Sequence, residues 1–292
     1  MPTPYQLGRK TPLFTPNADF VGSYGNNGRI TARIPVGPTY LSQQYLFTIA
    51  GGLATAAQIS AQVALVRFLV DAEAKIELTG AELVALAEFY RPNCVGNGIV
   101  PMIFARPWQE IIENQDGPAY GTVGIDTVTV EVIFAASGVT IDRAQLWSET
   151  IDAEPLGAHL VTVKQNYQFA STGTQEITDL PRNPNYRLYA LHITPPTGAT
   201  AVLTNVELVA DNVREIFGSP SQLHMRYRLQ ANPRVPQATW PLQLDFAHRG
   251  RHLDSLPLVM QDLRLRLTWG TAAPTSFNII MEQYRVAMDK GA

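Results

Sequence analysis

An internal repeat constrains the fold of this 292-residue chain more than any other feature of its sequence. Residues 34–40 (IPVGPTY) align with residues 180–186 (LPRNPNY), and two prolines and the final tyrosine are identical at the same positions. Further along, the alternating patterns at residues 66–71 and 206–211 both close on an aspartate suited to a turn. Because a repeat reflects one structural unit used twice, we expect two halves with the same fold.

A short helix is predicted after each of these strands. Thr79 and Glu82 form an S/T-x-x-E capping box in the first half. Ser219 and Gln222 form the same box in the second half, with Pro220 in the first helical position. Apolar residues at helical spacing follow both boxes: Leu83, Leu86 and Tyr90 in the first half, and Leu223 and Tyr227 in the second.

The remaining strand signals recur in one order. Residues 100–104 parallel 240–244, the alternating residues 127–134 parallel 263–269, and residues 144–149 parallel 278–284. With weaker strands at 28–33 and 159–169, each half has enough strands for an eight-stranded jelly roll. The sequence therefore predicts an all-β chain of two tandem eight-stranded jelly-roll β-sandwiches, each with a short capped helix.

Proline and glycine mark the predicted boundaries. The 21 prolines and 21 glycines are spread along the chain, as expected for short strands joined by turns. Residues 1–22 hold four prolines without periodicity, which predicts an extended arm that either reaches across an assembly contact or frays. The first jelly roll is assigned to residues 23–152 and the second to residues 153–292.

Composition excludes several classes of protein. Charged residues make up 16% of the chain and the net charge is −3, so direct binding to nucleic acid is not expected. The single cysteine, Cys94, excludes an internal disulfide and fits assembly in a reducing cytoplasm. The first residues do not resemble a signal peptide, and polar residues interrupt the most apolar stretch, so export and membrane spanning are not expected.

Evidence for catalysis or metal binding is weak. The sequence has no G-x-S-x-G motif. His248 and His252 could ligate a metal on a helix, but the central Gly250 favours a solvated turn or a subunit-contact patch. A loop with four carboxylates could in principle bind a hard cation, but its spacing matches no known site and a hydrated loop is the favoured interpretation: Glu110, Glu113, Asp116 and Asp126. No catalytic, cofactor-binding or metal-binding residue is therefore assigned.

The four tryptophans are spread over both halves. Trp108, Trp147, Trp240 and Trp269 fall in or near strand patterns, where large side chains fill barrel interiors. Core positions are the default prediction. A sugar-binding platform would instead require two or three of them exposed in a row.

Several segments together resemble the major coat proteins of corticovirus-type bacteriophages, whose icosahedral capsids surround a membrane. The resemblance rests on residues 28–40, 63–71, 234–246, 261–267 and 281–284, and spans about residues 28–285. It implies a double jelly-roll major capsid protein whose homotrimers have a pseudo-hexagonal outline and tile an icosahedral shell. The arm before Gly28 and the loops at 107–124 and 195–200 lie outside the resemblance.

The resemblance also implies partners and a location. The partners would be other copies of the chain, neighbouring trimers, penton or minor capsid proteins and a nearby internal viral membrane. The protein would be a non-enzymatic component of the virion capsid, assembled in the host cytoplasm. No cofactor is required, but some members bind structural calcium, for which no site is assignable in this sequence. Two alternatives are a carbohydrate-binding two-domain β-sandwich, such as a receptor-binding spike, and a sandwich-fold glycosidase.

Overall fold

The structure is a computed structural model that describes residues 12–107, 116–152, 156–196, 202–220, 223, 234–247, 254–270, 272 and 274–285. Twenty strands and two helices occupy these residues. In chain order they are β1 (Leu13–Pro16), β2 (Val21–Gly22), β3 (Arg29–Ile34), β4 (Thr39–Ile49), β5 (Gly52–Leu53), α1 (Ala56–Gln62), β6 (Val63–Val70), β7 (Glu73–Leu78), α2 (Gly80–Tyr90), β8 (Ile99–Ile103), β9 (Tyr120–Gly121), β10 (Val128–Phe134), β11 (Arg143–Ile151), β12 (His159–Tyr167), β13 (Gly173–Ile177), β14 (Tyr186–Ile193), β15 (Leu203–Ala210), β16 (Val213–Ser219), β17 (Leu242–Asp245), β18 (Leu256–Pro257), β19 (Leu263–Trp269) and β20 (Phe277–Arg285).

The chain divides into two compact units. Unit 1 comprises Met1–Ala87, Asn93–Ala105 and Asp116–Gly157. Unit 2 comprises Glu88–Pro92, Arg106–Gln115 and Ala158–Ala292, so two short segments from the first half of the sequence belong to unit 2. Neither helix in the described part of the chain is long and apolar enough to span a membrane.

Unit 1 is a jelly roll of two antiparallel sheets. One sheet contains β1, β11, β4 and β8 in that order, with β5 and β9 also paired to β4. The second sheet has the order β2-β3-β10-β6-β7. Chain neighbours such as β3 and β4, or β10 and β11, therefore lie in different sheets, which is the connectivity of a jelly roll.

Eight strands of unit 2 repeat this order, whereas β2, β5 and α1 of unit 1 have no counterpart in the described part of unit 2. Its sheets are β12-β20-β14-β17, with β18 also paired to β14, and β13-β19-β15-β16. Each sequence match of the repeat joins equivalent strands: β6 with β15, β8 with β17, β10 with β19, and β11 with β20. The predicted tandem of two jelly rolls is confirmed. The second helix was predicted to begin at Ser219, but Ser219 is the last residue of β16. Most of the remaining predicted helix, residues 221–222 and 224–233, lies outside the described residues.

In both units, strands that bury every second side chain form the hydrophobic core. In β19, Leu263, Leu265, Leu267 and Trp269 are buried, while the intervening side chains are half-exposed. Strand β10 buries alternate residues in the same way at its start and adds Phe134. Each such strand presents one face to its own core and the other face outwards.

The capping box predicted at Thr79 is confirmed. The Thr79 hydroxyl accepts a hydrogen bond from the Glu82 amide at 3.2 Å, and the Glu82 carboxylate accepts one from the Thr79 amide at 2.8 Å. A second box, between Thr55 and Gln58, begins α1. The sequence reading missed α1 because this seven-residue helix lies within one long apolar stretch.

Part of the segment predicted as an extended arm pairs with strands of unit 1. Strand β1 pairs with β11, and β2 pairs with β3. All four residues of β1 are exposed, so no alternation of apolar residues marks it in the sequence. Pro16 is tolerated because β1 is an edge strand, where a missing amide donor interrupts no further pairing.

One aspartate in each repeat, Asp71 or Asp211, performs the same structural role. Asp71 and Ala72, like Asp211 and Asn212, form two-residue hairpin turns in which both residues have positive φ. The Asp71 Oδ1 accepts hydrogen bonds from the amides of Asp126 at 3.0 Å and Thr127 at 2.9 Å. In unit 2 the Asp211 Oδ1 accepts bonds from the amides of residues 261 and 262 at 2.9 and 2.8 Å. Each aspartate thus joins its hairpin to the segment that leads into β10 or β19.

We expect Asp71→Ala and Asp211→Ala each to lower the free energy of unfolding by about 1–3 kcal/mol, because each loses two hydrogen bonds and places alanine at positive φ. Asp71→Asn and Asp211→Asn retain the acceptor oxygen and tolerate positive φ, so they should stay close to wild type. Chemical denaturation measures both effects. Equal losses for alanine and asparagine would contradict this role.

Candidate functional site

The sheets β1-β11-β4-β8 and β12-β20-β14-β17 occupy equivalent places in the two jelly rolls. We call the sides that point away from each core outer face 1, in unit 1, and outer face 2, in unit 2. In β11, for example, Leu146 and Ser148 are buried, whereas Trp147 and Glu149 are half-buried on outer face 1.

Outer face 1 has accessible apolar side chains among polar ones such as Gln44, Gln145 and Arg143. Phe14 is 60% exposed, Leu53 54% and Ile99 38%. The register places Ile99 opposite the half-buried Leu46, which joins these side chains on one face. The Phe14 ring stacks on the Trp147 indole, with centroids 5.2 Å apart and planes 14° apart.

A small polar network lies within outer face 1. The Ser42 hydroxyl donates a hydrogen bond to Glu149 Oε2 at 3.0 Å and accepts one from Gln44 Nε2 at 3.2 Å. The face therefore combines aromatic and aliphatic side chains with a few oriented polar groups.

Outer face 2 is buried within unit 2. His192, Gln243, Asp245 and Ile280 are 0% exposed, and Glu282 is 4% exposed. The covering side chains come from the segments of residues 88–92 and 106, and from Arg234 and Trp240. The Phe89 ring, for example, meets His192 edge-on at 5.3 Å.

Glu282 is the centre of a charged cluster on outer face 2. Its Oε1 accepts a hydrogen bond from Arg106 Nη2 at 3.1 Å, and its Oε2 accepts one from the Tyr90 hydroxyl. His192 Nε2 lies 3.4 Å from the same Oε2. The Arg106 guanidinium also lies over the Tyr90 ring, 4.3 Å from its centroid. Next to this cluster, Arg234 forms a buried ion pair with Asp245.

The cluster favours one protonation state. Burial alone would raise the pKa of Glu282, but the charge of Arg106 and the hydrogen bonds from His192 and Tyr90 outweigh it, so its pKa lies below 4.5. Burial, together with the charge of Glu282, raises the pKa of Tyr90 well above 10.0. At neutral pH the carboxylate is charged and the phenol is protonated. Because three donors surround this buried carboxylate, the cluster serves as an anchor and not as a catalytic base.

The other sheet of each unit has a charged outer face. In unit 1, Arg67 binds Glu77 at 2.6 Å and Glu131 at 3.3 Å across neighbouring strands. In unit 2, Arg266 pairs with Glu176 and lies 3.6 Å from Glu207. Such cross-strand ion pairs suit a hydrated surface. The exposed aromatic and aliphatic side chains described above lie on outer face 1 and not on these charged faces.

The residues considered for metal binding are not brought together in the described structure. His248, His252, Glu110 and Glu113 lie outside the described residues. Asp126 is exposed and its amide binds Asp71, while the Asp116 carbonyl accepts a bond from the Ala119 amide. Within the ranges that the structure covers, no three His, Cys, Asp or Glu side chains are placed to hold a metal ion.

The tryptophans separate into two groups. Trp240 and Trp269 are buried, 5% and 1% exposed, as predicted. Trp147 was also predicted as core by default, and this is wrong: it alternates with the buried Leu146 and therefore lies on outer face 1. Trp108 lies outside the described residues.

The sequence reading missed both the Glu282 cluster and Phe14. A glutamate inside the apolar run of β20 was the available signal, because a charge on a strand buried on both faces requires a partner. The partners themselves were hidden, since Tyr90 and His192 are 192 and 90 residues away in the sequence.

Comparison with protein families then identifies the chain. The model of the viral coat protein P2 N-terminal domain matches residues 18–150, and that of the C-terminal domain matches residues 161–287. The chain belongs to the viral coat protein P2 family. The resemblance to corticovirus-type coat proteins is thus confirmed, and this coat protein is a structural component of the virion capsid and not an enzyme.

Solved structures share the fold of this coat protein. The major capsid protein P2 from bacteriophage PM2 superposes with a TM-score of 0.81 at 20% identity, covering 97% of this chain and 100% of that chain. The STIV MCP, from Sulfolobus Turreted Icosahedral Virus, has a TM-score of 0.68 at 10% identity, with 94% and 97% covered. PBCV-1 VP54 has a TM-score of 0.65 at 13% identity, with 94% of both chains covered. No curated protein sequence matches this chain.

The Glu282 cluster predicts acid sensitivity. Because the folded-state pKa of Glu282 lies below its ordinary value of 4.5, its stabilising contribution is present above about pH 4.5 and is lost as pH falls through the folded pKa. Glu282→Gln should lower the free energy of unfolding by about 3–5 kcal/mol at neutral pH, since Arg106 loses its buried counter-charge. Its stability should then fall less steeply below pH 4.5 than that of wild type.

Denaturation at a series of pH values measures both effects. Asp19→Asn, which removes an exposed loop carboxylate, is the matched control and should follow the wild-type profile. A Glu282→Gln profile parallel to wild type throughout the acid range would show that Glu282 does not cause the acid sensitivity.

Proposed function

We propose that three copies of this coat protein form a trimer with a pseudo-sixfold outline, and that such trimers tile an icosahedral shell around an internal membrane. The supporting observation is that the same order of eight strands occurs in both jelly rolls of a member of a viral coat protein family. Three chains with two equivalent units each supply six similar edges. Six such edges allow quasi-regular contacts on a hexagonal lattice.

The proposed partners follow from this role. Neighbouring trimers bind along the tile edges, penton or minor capsid proteins complete the vertices, and the internal membrane lies beneath the shell. The net charge of −3 argues against tight contact with the genome, because a phosphate-binding surface requires an excess of basic residues. Assembly takes place in the host cytoplasm. Among the described residues, no three His, Cys, Asp or Glu side chains form a group that could hold structural calcium.

Native mass spectrometry and light scattering of the purified chain at several concentrations test the trimer. We expect a species of three times 32.1 kDa that persists on dilution, together with larger assemblies at high concentration. A monomer at every concentration, without larger species, would contradict the proposed function.

A further inference from the structure

Glu149 and Glu282 occupy equivalent positions in the two jelly rolls. Strand β11 lies between β1 and β4, and β20 lies in the same way between β12 and β14. Glu149 pairs with Ser42 of β4, directly beside a shift in the register of these strands. Glu282 pairs with Ala190 of β14, directly beside the corresponding shift. The two carboxylates therefore project from the same point of outer face 1 and outer face 2.

The carboxylate of Glu282 has a positive partner that uses two groups at once. Arg106 Nη2 donates a hydrogen bond to Glu282 Oε1 at 3.1 Å. The same guanidinium lies over the Tyr90 ring, 4.3 Å from its centroid. A planar guanidinium suits this combination, because it binds a carboxylate through its N–H groups and stacks on an aromatic ring with its flat face.

The equivalent place on outer face 1 has the same two groups. Glu149 Oε2 accepts a hydrogen bond from the Ser42 hydroxyl at 3.0 Å, and within the described ranges Glu149 forms no ion pair. Phe14 of β1 lies directly opposite Glu149 and is 60% exposed. Directly opposite residues of antiparallel strands share one face, so a carboxylate and an accessible aromatic ring lie side by side.

The other polar side chains of outer face 1 do not neutralise Glu149. Gln44, Thr48 and Gln145 are uncharged. Arg143 is exposed, but it lies opposite Thr48 at the far end of β11. Because a strand rises by about 3.3 Å per residue, Arg143 and Glu149 are roughly 20 Å apart. In the described structure, outer face 1 thus repeats the carboxylate and the ring of outer face 2 without the arginine.

We propose that Glu149 and Phe14 of one copy bind an arginine side chain of a second copy, as Glu282 and Tyr90 bind Arg106 within one chain. The inference rests on the proposed shell assembly and assigns one of its contacts. Charge complementarity favours this occupant, because the carboxylate attracts a guanidinium and repels the phosphate groups of a lipid surface or a nucleic acid. Equivalent faces of the two units then use the same chemistry, once within a copy and once between copies.

Two variants of the assigned surface test the contact. Glu149→Gln removes the charge but keeps the size of the side chain and an oxygen that accepts the Ser42 hydrogen bond. It should raise the concentration at which the assembly dissociates by roughly tenfold or more, because the arginine of the second copy loses its counter-charge. Phe14→Leu removes the ring and should weaken the assembly by a smaller factor. Light scattering at several protein concentrations measures both effects.

Two further substitutions of the same kind serve as comparisons. Glu77→Gln removes a carboxylate whose partner, Arg67, lies in the same unit, and it should leave the dissociation concentration unchanged. Glu282→Gln, at the position equivalent to Glu149, should instead destabilise the single chain. The denaturation midpoint at several protein concentrations separates these effects, since only a change in association makes the loss depend on concentration.

The outcomes distinguish the contact from the proposed function. If wild type assembles and Glu149→Gln assembles equally well, the assigned contact is wrong and the proposed function stands. A Glu149→Gln midpoint that falls equally at every protein concentration would show that Glu149 is paired within its own copy, which also contradicts the contact. If wild type does not assemble, the proposed function and the contact both fail. Thermal denaturation checks the fold of each variant, and unchanged assembly of Phe14→Leu contradicts the contact if Glu149→Gln does not fold.

Discussion

A β-sheet has two faces, and a jelly roll buries only one of them. Alternation along β19 and β10 sends apolar side chains into the core and leaves every second residue outside. The remaining faces must be hydrated or covered. This coat protein does both. Cross-strand ion pairs such as Arg67–Glu131 lie on one outer face of unit 1. The sheet that contains β11 has stacked aromatic side chains on its outer face, and the sheet that contains β20 has a buried ion pair on its outer face.

The Glu282 cluster shows what covering a face requires when it contains a charge. A buried ion pair adds less net stability than apolar packing of similar volume, but the loss of one partner leaves a costly uncompensated charge. Arg106, Tyr90 and His192 satisfy the carboxylate from three separate chain segments. Directional contacts of this kind fix which segments lie on outer face 2, whereas apolar packing alone tolerates rearrangement.

Much of the fold was predictable because its signals are local. The alternation in β10 and β19, the hairpin aspartates Asp71 and Asp211, and the capping box at Thr79 all depend on neighbours in the sequence. Their recurrence in one order predicted two equivalent jelly rolls. Strand β1 escaped prediction because all its side chains are exposed and show no alternation, and its pairing with β11 is visible only in three dimensions.

The outer faces were less predictable. Whether Trp147 points into the core or outwards depends on the phase of β11 relative to its partner β4, and a single apolar-rich strand does not define this phase. The partners of Glu282 come from residues brought together by the fold. The coat function was in turn assigned from family resemblance, since shell formation depends on surface shape and has no catalytic motif.

We propose that two equivalent jelly rolls per chain let three chains form a six-edged tile. Electron microscopy of the isolated assembly distinguishes this tile from other assemblies. We expect class averages with six similar densities in a hexagonal outline, at a mass of three chains. Closed assemblies with any other number of densities, or chains joined without a closed ring, would contradict it.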